Sequence, residues 1–357
     1  MSQSYRVIGL MSGTSLDGVD IACCSFELKK NGWEYRIEQA ETVAYSKEWK
    51  LQLVSMMDST AVDYLKSHVA FGKYYGELIQ SFIQRNKITP VLIASHGHTV
   101  FHQPQNGFTA QIGDGSQIAA ITGIDTICDF RSKDLALGGQ GAPLVPGGEV
   151  MLFSRYRFCL NLGGIANITI LNGTQTVAFD ICPVNMALNY LTNKIGMDYD
   201  KDGLLAAKGK VSEPLLKELN NLSFYKKTFP KSLGREWFEQ EMQPLLDHSG
   251  FSMEDKLATV CEHVALQIAG IINQFSTVTS DVLFITGGGA FNPVLISKLS
   301  QHSAVKIEVP DKITIAYKEA LIFAFLGLLY HRNEMNVLCS VTGANRNHIG
   351  GALYKGS

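Results

Sequence analysis

The sequence predicts an α/β protein made of two similar halves around a central cleft. Three observations carry this. Strand-like apolar segments alternate with helix-like ones along the chain. The stretch YRVIGLMSGTSLDGVDIACCSF, Tyr5–Phe26, reads as strand, glycine-bearing turn, strand, and RFCLNLGGIANITIL, Arg157–Leu171, repeats that plan. A third apolar strand runs into glycines in VLFITGGGAFNP. The 357 residues exceed what one compact core usually holds, so two domains are expected.

In chain order, the first turn lies in GLMSGTSLDGVD, Gly9–Asp20. It is far longer than a plain hairpin needs, and it is dense in oxygen: Thr14, Ser15, Asp17 and Asp20. Leu65, Val69, Leu78, Ile79, Phe82 and Ile83 recur three and four apart, which predicts one apolar face on a helix from about Val62 to Gln84. Val91–Ala94 and Val282–Thr286 read as buried strands. A second helix is expected from about Lys256 to Phe275, with Ser252 and Asp255 as its cap. Ala320–Leu329 is apolar except for Gly327; it is too short to span a bilayer and predicts a buried helix.

Composition narrows the partners. Hydrophobic residues make up 46% and charged residues 18%, with a net charge of −2. There is no basic excess for nucleic acid or an anionic membrane surface, so small molecules or proteins are the expected partners. Seven cysteines, with no CxxC and no Cys/His ligand spacing, point to reduced thiols in a cytoplasmic protein. The start MSQSYRVIGL lacks a basic region leading into a long apolar core, so no signal peptide is expected.

The glycine turns are candidate phosphate cradles. Phosphate oxygens are held by backbone N–H groups and hydroxyls that approach closely, and glycine permits that approach. Gly13, Thr14 and Ser15 supply one donor set, and Gly163, Gly164 and Asn167 a second. Gly287, Gly288 and Gly289, with Asn292 beside them, can lie against a nucleotide base or ribose. Asp17 would repel phosphate directly but can act through Mg²⁺ and its waters. The pattern is neither a P-loop nor a GxGxxG turn, and plain tight turns remain the alternative reading.

The opening stretch resembles the signature of the anhydro-N-acetylmuramic acid kinases, bacterial enzymes of the sugar kinase/Hsp70/actin superfamily. The likeness continues through SHGHTVFH (95–102), QIGDG (111–115), DFRSKDLALGGQGAPLVP (129–146), LNLGGIANIT (160–169), YDKDGLLAAKG (199–209), PKSLGREWF (230–238), GGGAFNP (287–293), KEALIFAFL (318–326) and SVTGA (340–344). It implies a two-lobed actin-like ATPase fold, a duplicated ribonuclease H-like unit. The lobes are expected at 1–134 and 135–357, with the last segment returning to the first lobe. It also implies ATP, Mg²⁺ and a homodimer. The reaction would open the internal ether of 1,6-anhydro-N-acetylmuramate with water and phosphorylate O6, giving N-acetylmuramate 6-phosphate in cell-wall recycling.

Site residues follow residue by residue. The family's catalytic aspartate falls on Asp180 in VAFDICPVNMALNYL. It follows apolar Val177–Phe179 and precedes a helix expected near Val184, where a base is well placed; a helix cap is the other reading. Glu319 matches a glutamate that faces the sugar, and also reads as a solvated helix-start residue. Arg131 can fork onto the lactyl carboxylate, or form a surface ion pair. His96 and Thr99 suit sugar oxygens, with a satisfied loop histidine as the alternative for His96. Asp114 reads as a turn residue. His96, His98 and His102 crowd together without a cysteine or carboxylate to complete a zinc set.

The chain departs from the family at three places. DICPVN stands for DTGPGN, putting Ile181, Cys182 and Val184 where Thr, Gly and Gly are usual. A valine is strained where a glycine held positive φ, so this loop is expected to be shaped differently. His98 replaces a glutamine, and Gly147-Gly148-Glu149 replaces Ala-Phe-His. Two other functions fit the same residues: a kinase for another amino sugar with a free hydroxyl, and an ATP-binding interaction protein without catalysis.

Overall fold

The computed structural model describes residues 4–13, 16–247, 250–278 and 280–356, with Thr174 by its backbone alone. Two of the expected phosphate ligands, Thr14 and Ser15, lie outside the described residues. The chain divides into two compact units: Met1–Phe153 with Tyr317–Ser357, and Ser154–Ala316. The first unit thus runs past the expected boundary at 134, because residues 135–153 pack with it.

Strands β1 (Ser4–Ser12), β2 (Gly18–Lys29), β3 (Gly32–Ala44), β4 (Leu92–Gln103), β5 (Phe108–Ile112) and β6 (Thr126–Cys128) belong to the first unit. The second holds β7 (Phe158–Leu162), β8 (Ile165–Ile170), β9 (Val177–Pro183), β10 (Val282–Thr286) and β11 (Lys306–Glu308); β12 (Ala352–Tyr354) is again in the first. The first sheet has the order β12-β6-β4-β1-β2-β3, with β5 on β4; the second has β11-β10-β7-β8-β9. In each, three strands form an antiparallel meander, and a later strand lies parallel to the first of them: β4 on β1, β10 on β7. A further parallel strand follows, β6 on β4 and β11 on β10. One plan is used twice, as the repeated strand–turn–strand pattern predicts.

Alternation along β1 explains the layering of the first unit. Ile8 and Leu10 join Ile21, Cys23 and Ile93 in a core with Phe71, Tyr75, Ile79 and Phe82 of the helix Ala61–Asn86. Thr60 caps that helix by accepting from Asp63 N at 3.2 Å. The expected face holds over the second half of the helix, where Ile79 and Phe82 are buried and Leu78 and Ile83 pack on the core, but not in the first, where Leu65 is 61% and Val69 44% exposed. Before Leu78 the larger aromatic side chains of Phe71 and Tyr75 bury more apolar surface, and they decide which face turns inward.

The other face of the sheet carries the helix Lys312–His331. By length and a mean hydropathy of 1.6 it could cross a bilayer, which Ala320–Leu329 alone could not. Instead Leu321, Phe323, Phe325, Leu328 and Leu329 are fully buried, with Phe325 against Phe26 and Phe323 against Phe130. It is a core helix. It is kinked at Tyr317 (φ −113°, ψ 15°), where the chain passes from the second unit to the first. Gly9 lets it approach: a Cβ there would stand 1.9 Å from Ala320 O. Gly9→Ala is therefore expected to cost about 3 kcal/mol of stability, read as a lowered denaturation midpoint; an unchanged midpoint would contradict this packing.

The second unit has its own core, in which β7–β10 pack on the helix Met253–Phe275 through Val260, Val264, Ile268 and Ile272. Ser252 caps that helix by accepting from Asp255 N at 3.1 Å, as the sequence predicts.

Candidate active site

Ligands of parallel sheets bind outside the carboxyl ends of the strands. In the second unit, β7 ends at the turn Gly163-Gly164 and β10 at Gly287–Gly289. Gly287 has φ 84°, and a Cβ there would lie 2.5 Å from Asn161 Oδ1 and 2.8 Å from the Leu162 carbonyl, so the two turns pack together. Val184 N and Met186 N donate to Gly164 O at 2.8 and 3.1 Å, and Asn185 N to Gly163 O at 3.2 Å. The start of the helix Asn185–Asn193 thereby clasps the first turn. Gly164 and Gly288 remain exposed, leaving backbone open to a ligand. Asn292 Oδ1 accepts from Val294 N and Leu295 N at 3.1 and 3.2 Å, capping the helix Pro293–His302.

Asp180 lies inside β9, directly across from exposed Asn167 on β8. It does not cap the following helix, whose first turn has no side-chain cap. Its Oδ2 accepts from Leu233 N at 2.9 Å. Burial pushes the carboxyl above the usual aspartate range, and the Leu233 N–H opposes this. The departing residues Ile181, Cys182 and Val184 are at most 2% exposed and belong to the core of the unit. Val184 has φ −122°, so this loop makes no left-handed demand on its valine.

In the first unit, Arg131 and His96 form one device. The Arg131 guanidinium donates from Nε and Nη2 to His96 Nε2 at 3.1 and 2.8 Å, and from Nη1 to Gly141 O at 2.6 Å. His96 Nδ1 lies 2.9 Å from Gly97 O. Arginine only donates and a carbonyl only accepts, so His96 is the neutral Nδ1–H tautomer. Burial first, then Arg131, holds the imidazole well below its ordinary range. Neither ring nitrogen is left for a sugar, contrary to the expected role of His96. Arg131 makes no ion pair within 4 Å among the described residues. Of its five N–H groups, one on each Nη remains uncommitted, the edge that accepts a carboxylate fork. Burial lowers the guanidinium to about 10, opposed by Glu319 and Asp134.

A cavity of about 270 Å³ joins three of the sequence motifs, with His96 and Gly97, Gln111 and Gly113, and Asp129 and Ser132 in its walls beside Tyr64, His68 and Tyr354. Thr99 is not among the lining residues; its Oγ1 accepts from Nε2 of Gln111, which is. Asp114 caps the helix Gly115–Thr122 through Ser116 N at 2.8 Å. Glu319 lies two residues past the kink at Tyr317, in the first turn of the apolar stretch of the helix Lys312–His331, but it is partly buried rather than solvated, and burial raises its carboxyl.

The end of β1, where the first turn begins, is held by side-chain hydrogen bonds. His98 Nδ1 lies 2.8 Å from Ser12 Oγ, which lies 2.5 Å from Tyr45 Oη. Burial lowers His98 to about 4, so it stays neutral. Gly13 and exposed Asp17 flank the turn, and Leu16 takes φ 59°. No group of three candidate metal ligands occurs among the described residues. An exposed carboxylate at Asp17, close enough to raise that of Asp20, fits Mg²⁺ that is carried chiefly by phosphate oxygens and water.

Two features escaped the sequence. Asp20 Oδ1 accepts from Thr42 Oγ1 at 2.6 Å, burial raises its carboxyl, and its charge acts on Glu319; its place in the oxygen-rich first turn was the available signal. Lys318 Nζ and Glu149 Oε1 form a buried pair at 2.9 Å next to Glu319. The unusual Glu149 marked that position without indicating its partner.

A family model described as anhydro-N-acetylmuramic acid kinase matches residues 5–356. A Vibrio vulnificus (strain YJ016) protein named anhydro-N-acetylmuramic acid kinase is 36% identical, over 99% of this chain and 99% of its own length. One of the same name from Shewanella frigidimarina is 35% identical, over 99% and 100%. Among solved structures, Plasmodium falciparum glycerol kinase with ADP has a TM-score of 0.47 at 8% identity, covering 91% of this chain and 90% of that one.

Proposed function

Since this chain belongs to the anhydro-N-acetylmuramic acid kinase family and is therefore a phosphotransferase, we propose how its residues carry that reaction. Water attacks C1 of 1,6-anhydro-N-acetylmuramate, and Asp180 takes the proton. The C1–O6 bond breaks, and O6 takes the γ-phosphoryl group of ATP, releasing ADP. The products are N-acetylmuramate 6-phosphate and ADP. Arg131 binds the lactyl carboxylate through its two uncommitted N–H groups. His96 holds that fork in place, and Thr99 and Glu319 meet the sugar's hydroxyl and amide groups.

The exposed backbone of Gly164 and Gly288, with Gly163, Gly287, Gly289 and Asn167, is proposed to hold the nucleotide in the second unit. Gly13, Thr14, Ser15 and Asp17 serve the phosphates in the first. Mg²⁺ would supply charge neutralisation at the phosphates. Asp17→Asn is expected to raise the Mg²⁺ concentration for half-maximal turnover about tenfold at fixed ATP; an unchanged Mg²⁺ dependence would remove Asp17 from this role. A reducing, cytoplasmic setting is supported by seven free cysteines, most of them buried. A homodimer is supported by apolar side chains exposed on one helix face, Val62, Leu65 and Val69.

The observation that carries the choice of sugar is the Arg131 fork held by a neutral histidine. The test is incubation with ATP, Mg²⁺ and the anhydro sugar in ¹⁸O-water, with products identified by mass and NMR. The label is expected on C1 and the phosphate on O6. Phosphorylation of a free 6-hydroxyl sugar, with the anhydro sugar untouched, would replace this reading with an ordinary amino-sugar kinase.

A further inference from the structure

The C-terminal motif SVTGA takes no part in the chemistry above, yet it is wired to Arg131. Asp134 is fully buried. Its Oδ1 accepts from Thr342 Oγ1 at 2.7 Å and from His348 Nε2 at 2.9 Å. Its Oδ2 accepts from Gly141 N at 2.7 Å. The carbonyl of that same Gly141 accepts from Arg131 Nη1 at 2.6 Å. Two backbone bonds close the arrangement: Gln140 N to Thr342 O at 2.8 Å, and Asn345 N to Leu137 O at 3.0 Å. The loop Leu137–Gly141 is thus stapled to the C-terminal segment by a carboxylate that must keep its donors, because an unpaired buried charge is costly.

We propose that Asp134, Thr342 and His348 are positioning residues that aim the Arg131 fork through the Gly141 carbonyl. This rests on the reading of Arg131 as the carboxylate-binding group. Gly141 O and His96 Nε2 hold the guanidinium from two sides, which leaves a single edge for the substrate. If the loop slips, one of these supports is lost and the fork turns away from the position its ligand needs; misplacement by about 1 Å is enough to weaken a bidentate contact.

The test uses the full chain and two substrates: the anhydro sugar with its lactyl carboxylate, and the same sugar with that group as a carboxamide. Thr342→Val keeps the shape and removes the hydroxyl. It is expected to raise KM for the carboxylate sugar about fivefold, the net worth of one hydrogen bond. The KM values for the carboxamide sugar and for ATP are expected to hold, and kcat to stay within about twofold. Thr342→Ser restores the hydroxyl and is expected to restore KM. His348→Phe, which removes the second donor, repeats the loss should the valine variant fold poorly. Equal shifts for both sugars, or no shift in either folded variant, overturn the proposal. Arg131→Ala separates the two layers. If it loses the preference for the carboxylate while Thr342→Val and His348→Phe keep it, the positioning role falls and the Arg131 reading stands. If it too keeps the preference, both fall.

Discussion

Asp180→Asn is expected to lower kcat by roughly a thousandfold or more while leaving ATP affinity unchanged, the usual scale for loss of a general base. The asparagine matches the aspartate in size. Its side-chain oxygen can still accept from Leu233 N, the bond that holds Asp180 Oδ2 in β9. The unit should therefore fold as before, and the loss should fall on proton transfer alone. Initial rates at saturating substrates, with ATP binding by calorimetry, check this. Activity near that of the unaltered protein would end the assignment. The pH profile adds a sign. A base works deprotonated, and burial raises the Asp180 carboxyl. Activity should therefore fall on acidification at a pH above the ordinary aspartate range, and the asparagine variant should lack that limb.

Arg131→Ala is expected to raise KM for the carboxylate sugar about a hundredfold, through loss of a two-pronged charge-assisted contact. Arg131→Lys should recover little of it, because an ammonium cannot present two parallel N–H groups. The same variants should bind ATP normally. A KM within about twofold in the alanine variant would show that the carboxylate is read elsewhere. The neutral state of His96 sharpens the expectation. A protonated His96 would offer Arg131 no acceptor, and burial beside the guanidinium keeps the ring neutral.

Much of the architecture was legible because it rests on local pattern. Strand–glycine–strand repeats at β1–β2 and β7–β8 announced a duplication, and the two sheets carry it out. The cap at Ser252 and the span of β10 follow from residues adjacent in sequence. The inward face of the helix Ala61–Asn86 was misjudged at Leu65 and Val69, since periodicity alone does not say which of two overlapping apolar stripes meets the sheet. The helix expected over Ala320–Leu329 forms, and a shorter helical stretch from Lys312 joins it across the kink at Tyr317, a junction that the apolar run alone did not announce.

The candidate site divides along the same line. Residue type and motif marked Asp180, Arg131, Glu319 and the glycine turns, because their chemistry is written in single positions. Most of the partners that give those groups their state come from far along the chain: Leu233 for Asp180, His96 for Arg131, Thr342 and His348 for Asp134. His96 was marked by its motif, but only the fold shows its ring nitrogens engaged by Arg131 and Gly97, and only the fold shows Asn292 Oδ1 capping a helix. Sequence alone determined the chemical inventory and the twice-used plan of strands. Tertiary structure decided which of those groups are free to act, because a donor or acceptor is available only after the fold has assigned partners to all the others.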